Sequence, residues 1–323
     1  MGKPRVVVIG SANMDLVYKV DRLPRAGETI KGGNVALYPG GKGANQACAA
    51  AQLGGNTLFI AQVGNDTFGA ILLEALKAKG VNTGHVRISP YPTGCASIYV
   101  LPDGENSIVL SPGANEALDS EAVISSLDSL EPGDWVLSQL EISLPTVRAA
   151  LAHAKAVGAT TILDPAPTLP LPQCLFRHVD FLTPNQTEAM TLLGHPGSQL
   201  GEDAKEAEKV AVKLLALGPR SVILKLGRLG CYVAAPGVRA WVPGFEVTTV
   251  DTTAAGDIFN GALAVALTEG RPLLEAARFA NAAAAISVTR CGAQSSIPSR
   301  SEVDELLAGR SFGEVFTAED GRG

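Results

Sequence analysis

The chain has 323 residues, 46% hydrophobic and 18% charged, which is enough apolar material for a large core and too much for a disordered polymer. Its formal charge of −6 disfavours nucleic acid or an anionic membrane surface as main partner, because both repel an acidic protein. The five cysteines (Cys48, Cys95, Cys174, Cys231 and Cys291) form no CxxC pair, and no apolar run approaches the ~20 residues that span a bilayer, so a cytoplasmic chain with reduced thiols is expected.

In chain order, "RVVVIG" (5–10) predicts a first buried strand followed at once by Asn13 and Asp15, which is unlike a signal peptide. It carries one glycine where a dinucleotide fingerprint has three, so nicotinamide chemistry is excluded. Two stretches, 16–38 and 94–110, alternate apolar and polar residues and predict a small antiparallel sheet, a lid whose other face can meet a second subunit. Short apolar runs at 57–63, 134–140, 160–165, 180–184 and 221–226 predict further buried strands, with helix-periodic segments such as "GAILLEALKAKG" and "LPTVRAALAHAKAVG" between them. Later, "CYVAAPGVRAWVP" reads as a hairpin and 257–289 as two Ala-rich helices. The pattern predicts an α/β fold, a three-layer α/β/α sandwich around a central, mostly parallel sheet. The expected body comprises 1–15, 39–93 and 111–310, the lid 16–38 and 94–110, and the tail 311–323.

In such sheets ligands gather beyond the carboxyl ends of the strands, where Asn13, Asp15, Glu141, Asp164 and Asn185 are expected. The stretch "YPGGKGANQ" (38–46) is not a phosphate loop: Lys42 is followed by glycine, and Ala36 stands where the first glycine belongs. A better phosphate site is "VDTTAAGDIFNGALAVAL" (250–267), where small side chains lead into a helix whose free amides and positive dipole end suit an anion. Asp257, on the first turn, is placed to accept a hydroxyl proton. Its position at a helix start is expected to favour the charged form and make it a weak base. The four histidines (His85, His153, His178 and His195) lack zinc-ligand spacing.

"GGKGANQA" (40–47) together with "DTTAAGD" (251–257) resembles the signature pair of the ribokinase-like carbohydrate kinases, and "GSANMD", "QLE", "PAP", "TPNQTEA", "VPGF" and "RCGAQSS" follow in the family's order over roughly residues 5 to 300. The resemblance implies ATP-dependent phosphorylation of D-ribose at its 5-hydroxyl. Asp257 would be the base, and Ala254, Ala255 and Gly256 would form the anion hole. Gly41, Lys42, Gly43 and Asn45 would wall the sugar site opposite Asn13, Asp15 and Glu141. ATP would meet Asn185, Lys225, Gly227, Gly230, Gly256 and Asn281, although lysine at 225 departs from some members. Asn185 and Glu188 would order hydrated Mg2+, and an activating K+ would lie by Asp251, Thr253, Ser287, Arg290, Gly292 and Ser296. The exposed face of the lid leads to the expectation of a homodimer through it. Alternatives are a kinase for 2-deoxyribose or another small sugar or nucleoside, and a sugar-binding sensor, which has no need of an anion nest.

Overall fold

The computed structural model describes residues 4–198, 200–201, 203–309 and 316–317. The first half runs β1 (Arg5–Ile9), β2 (Asn13–Lys19), β3 (Ala36–Gly40), α1 (Lys42–Gln52), β4 (Asn56–Gly64), α2 (Thr67–Ala78), β5 (Asn82–Ser89), β6 (Gly94–Val100) and β7 (Asn106–Ser111). It continues through α3 (Ser120–Ser126), β8 (Trp135–Ser138), α4 (Leu144–Ala156), β9 (Thr160–Leu163), α5 (Gln173–Phe176), β10 (Phe181–Leu182), α6 (Gln186–Leu192) and α7 (Ala204–Leu215). The last third is β11 (Ser221–Lys225), β12 (Gly230–Ala235), β13 (Val238–Pro243), α8 (Ala255–Thr268), α9 (Leu273–Ser287), α10 (Arg300–Ala308) and β14 (Phe316–Thr317). Apart from β14, which pairs with β13, the tail predicted at 311–323 lies outside the described residues.

Among the described residues the main sheet has ten strands in the order β14-β13-β12-β11-β10-β9-β8-β1-β4-β5. The strands from β11 to β5 are parallel neighbours, and the hairpin β12–β13 closes one side antiparallel. The apolar runs explain the layering. Because successive side chains point to opposite faces of a strand, Val6 and Val8 of β1 enter one core with α1, α8 and α9, while Val7 and Ile9 enter a second with α4 and α7. Both faces are therefore covered, as parallel strands require. No helix among the described residues is long and apolar enough to cross a membrane.

The second sheet, β3-β2-β6-β7, differs from the prediction in two respects. Its central pair β2–β6 is parallel, so the sheet is mixed, with antiparallel pairing only at β2–β3 and β6–β7. It also starts earlier, at Asn13, because β2 follows β1 almost directly and carries Asn13 and Asp15 into the lid sheet. Residues 21–35 contain no strand. β5 was not predicted: an edge strand with exposed alternate residues shows no continuous apolar run.

One close approach sets the distance between the two helices that meet at the site. A Cβ on Gly261 of α8 would lie 2.7 Å from Ala49 Cβ, 2.7 Å from the Gln46 carbonyl oxygen and 2.9 Å from Ala50 N, all on α1. Glycine lets the helix backbones touch, and a branched side chain must force them apart. Gly261→Val is expected to lower unfolding free energy by about 1–3 kcal/mol in urea titrations, the range typical of overpacked cores. An unchanged midpoint would mean that α1 and α8 separate freely.

Candidate active site

The carboxyl ends of β1, β8, β9, β10 and β11 lie side by side, and the polar residues that follow them collect along one edge of the sheet. Here the chain after β1 crosses the start of α1. A Cβ on Gly43 would meet the Gly10 carbonyl carbon and Ser11 N at 2.6 Å, and one on Gly41 (φ 90°) would meet Asn13 N at 2.7 Å. A side chain on Gly40 would collide with the Asp15 carboxylate. The glycines of "GGKG" thus permit chain-to-chain contact, and that contact brings Asn13, Asp15 and Lys42 together.

Glu141 ties this corner. Its Oε2 accepts from Ser11 Oγ at 2.6 Å, from Lys42 N at 3.0 Å and from Asn13 Nδ2 at 3.4 Å. Asn115 fixes Asn13 from behind, donating to Asn13 Oδ1 at 2.7 Å and accepting from Ala12 N at 2.9 Å. Burial, then the charges of Glu141 and Asp257, push the Asp15 carboxyl up to about 7. Lys42 faces Asp257, Asp164, Glu141 and Glu188, and these charges outweigh burial and hold its ammonium above its ordinary range.

Asp257 is buried on the first turn of α8. Asn45 Nδ2 donates to its Oδ2 and Gln46 Nε2 to its Oδ1, both at 3.0 Å and both from α1. Gln294 Nε2 in turn reaches Asn45 Oδ1 at 3.4 Å. Burial raises the Asp257 pKa and the Asp164 charge adds to the rise, while Lys42, Asn45 and Gln46 oppose it. This corrects the expectation of a weak base: loss of water outweighs the helix start.

Ala254, the N-cap of α8, has φ 60° and is the only non-glycine residue with positive φ among the described residues. That strained turn, worth about 1–2 kcal/mol, tips the loop into the helix without a side-chain cap. The Ala255 amide donates to the Thr252 carbonyl at 3.2 Å, so it is partly engaged, contrary to expectation. The amides of Ala254, Gly256 and Asp257 make no backbone hydrogen bond among the described residues.

Beside this helix start opens a cavity of about 780 Å³. Lys225, Gly227, Gly230, Gly256 and Asn281 line it, with Trp241, Phe245 and Phe259 as apolar walls. Five of the six residues expected to meet ATP therefore share one cavity, and Asn185 is not in its lining. Asn281 acts on the wall: its Nδ2 donates to the Val242 and Pro243 carbonyls at 3.1 and 3.2 Å.

Asn185 and Glu188 form a reciprocal capping box on α6, with Asn185 N and Nδ2 donating to Glu188 at 2.7 and 2.8 Å. Each carboxylate oxygen keeps a free lone pair, which fits a hydrated Mg2+ carried by phosphates better than a protein cage. No cluster of three acidic, histidine or cysteine ligands exists among the described residues. Of the residues expected near K+, Asp251 joins two loops, accepting from Thr253 N at 2.9 Å, Thr253 Oγ1 at 2.6 Å and Gly292 N at 2.8 Å. Ser287 and Ser296 donate to the Ala284 and Ala293 carbonyls, each at 2.8 Å. The Arg290 side chain pairs with Glu302 on α10.

The model of the pfkB family carbohydrate kinases matches residues 3–300. The chain belongs to that family. It is 41% identical over 303 residues to the ribokinase of Bacillus subtilis, covering 94% of this chain and 99% of the relative. A deoxyribokinase of Salmonella typhi is 34% identical over 305 residues, covering 94% and 98%. The structure of Arabidopsis thaliana ribokinase complexed with ribose and ATP superposes with a TM-score of 0.86 at 36% identity, covering 95% of this chain and 99% of that one. In this pfkB kinase the polar corner around Glu141 and the cavity lined by Lys225 and Asn281 meet at α8. Three residues of that junction escaped the sequence reading as site residues, Gln46, Asn115 and Gln294, and Asp164 was expected at the sheet edge without its partners Gln46 and Lys225.

The raised Asp15 carboxyl has a measurable consequence. Protonated Asp15 contributes stability that is fully present below its unfolded pKa near 4 and lost as pH rises through about 7. The melting temperature of Asp15→Asn is therefore expected to gain on that of the unaltered protein between pH 5 and pH 8, followed by thermal scans. A gap independent of pH would place Asp15 in water.

Proposed function

We propose that the protein transfers the γ-phosphoryl group of ATP to the 5-hydroxyl of D-ribose. The observation that carries this reading is Asp257: a buried base, aimed by two amides, beside free helix-start amides and next to a nucleotide-sized cavity. The acceptor corner suits a small polyol. Asn13, Asp15, Lys42, Asn45 and Glu141 offer several hydrogen-bonding groups around one charge, and Lys42 is the single cation expected there, which favours an unphosphorylated sugar over a sugar phosphate. A carboxyl at Asp15 that titrates near neutrality can donate or accept toward hydroxyls.

The sugar oxygen attacks in line while Asp257 accepts its proton, and the amides of Ala254, Gly256 and Asp257 face the migrating phosphoryl. A carboxylate whose proton affinity burial has raised suits this better than one left in water. Asn185 and Glu188 would hold a hydrated Mg2+, which would supply charge neutralisation on the phosphates when bound. Asp251, Thr253, Ser287, Arg290, Gly292 and Ser296 would hold K+ at the junction of the 251–253 and 287–296 loops, where the cation would support the shape of the anion hole. We place the enzyme in the cytoplasm, and as a homodimer through the lid, whose Leu37, Tyr38, Ile108, Val109 and Leu110 expose apolar surface.

A 2-deoxyribose kinase is the second reading, favoured by the deoxyribokinase relative. An ADP-release assay over pentoses, hexoses and nucleosides, in potassium or tetramethylammonium, separates the two. Ribose is expected to stand highest, and to do so in potassium. Asp257→Asn should cut ribose turnover at least ~100-fold with ribose and ATP binding held within a few-fold. Preference for 2-deoxyribose would favour the second reading, and near-normal turnover in the variant would remove Asp257 from the chemistry.

A further inference from the structure

Lys225 and Asp164 form an ion pair at the join of the two half-sites. Lys225 Nζ lies 2.9 Å from Asp164 Oδ1, and the side chains are 11% and 2% exposed. The other carboxylate oxygen, Asp164 Oδ2, accepts from Gln46 Nε2 at 2.9 Å, and the same nitrogen donates to Asp257 Oδ1. Gln46 Oε1 accepts in turn from Gln139 Nε2. The chain of contacts therefore runs from a nucleotide-side cation to the acceptor-side base through two buried side chains. Gln46 has no freedom to turn within it.

A buried ion pair is a poor stability device. Desolvation of two charges consumes most of the Coulombic gain, and an apolar pair of equal volume often does as well. Its placement suggests another use. A Cβ built on Gly256 would lie 3.4 Å from Lys225 Nζ, and Lys225 and Gly256 line the same cavity. The ammonium thus stands over the helix start that keeps its amides free.

We propose that Lys225 touches the phosphoryl group in flight as a charge-neutralising catalytic residue, and that Asp164 is the positioning residue that aims it. This rests on the reading of the site as a sugar kinase. In the step concerned, the sugar oxygen forms a bond to the γ-phosphorus as the bond to the bridging oxygen breaks. That oxygen keeps the electron pair and leaves on ADP, while the hydroxyl proton goes to Asp257. Lys225 stays protonated throughout and opposes the negative charge that spreads over the equatorial oxygens. Lysine serves as a point charge here, its short donors free to shift between Asp164 and phosphate as the group moves.

Lys225→Gln alone leaves Asp164 buried and unpaired, so its defects mix folding with chemistry. Asp164→Asn/Lys225→Gln removes both charges and keeps a neutral hydrogen-bonded pair of similar volume, with an oxygen still available to Gln46. The double variant is expected to melt near the unaltered protein and to hold its ribose KM within about 3-fold, while its kcat at saturating ATP falls at least about 30-fold, toward the loss seen on removing one oxyanion donor. Asp164→Asn alone, which keeps the cation and loses its aim, should lower kcat less than the double variant at unchanged ribose KM. A double variant that turns over within 3-fold of the unaltered enzyme would show the pair to be structural and overturn the proposal. If the double variant does not fold, the outcome passes to Asp164→Asn, where unchanged kcat overturns it. Failure of the unaltered enzyme to phosphorylate any sugar would sink the kinase reading instead, so the two failures are distinguishable.

Discussion

Asp257 is a carboxylate removed from water and suspended between two amides of a neighbouring helix. Removal from water raises its basicity, because the charged form loses hydration that two hydrogen bonds and Lys42 only partly replace. Suspension between Asn45 and Gln46 removes its rotational freedom, so the carboxylate sits where α1 puts it. Both effects require α1 and α8 to lie in backbone contact. Gly261 allows that contact, and the Ala-rich faces of the two helices extend it.

The same packing explains why the site has two unlike halves. The acceptor corner is built where the chain after β1 crosses the start of α1, with glycines at the crossing and Glu141 bonded across it. The neighbouring cavity is built from β11, β12, β13, α8 and α9, far along the sequence. They meet at α8, whose first turn carries Asp257 and the unbonded amides, and through the Lys225–Asp164–Gln46 contacts. Placing the Asp257 carboxylate and the unbonded amides within one helical turn means that neither can shift without the other. For in-line transfer that is a geometric advantage, since positioning supplies much of the rate.

Much of this was legible beforehand, for definite reasons. Buried parallel strands announce themselves as unbroken apolar runs, so β1, β4, β8, β9, β10 and β11 were all anticipated, and the polar residues at their ends followed from chain direction. The turn before α8 was legible because only small residues leave backbone open. What escaped has a different character. β5 is half exposed and β2–β6 pair in parallel across 80 residues, so no local pattern marks either. Gln46 and Asp164 are separated by 118 positions, and nothing near either one predicts their contact. The basicity of Asp257 was misjudged for a related reason: a helix start is visible in sequence, but the depth at which it is buried is a property of the whole fold.

The most direct test is a crystal structure of the enzyme with D-ribose and a non-hydrolysable ATP analogue. The account predicts the terminal phosphoryl over the amides of Ala254, Gly256 and Asp257, with an Asp257 carboxylate oxygen within hydrogen-bond distance of the sugar's 5-hydroxyl. A triphosphate seated away from α8, or a sugar whose primary alcohol faces Glu141 and leaves Asp257 without contact, would contradict it.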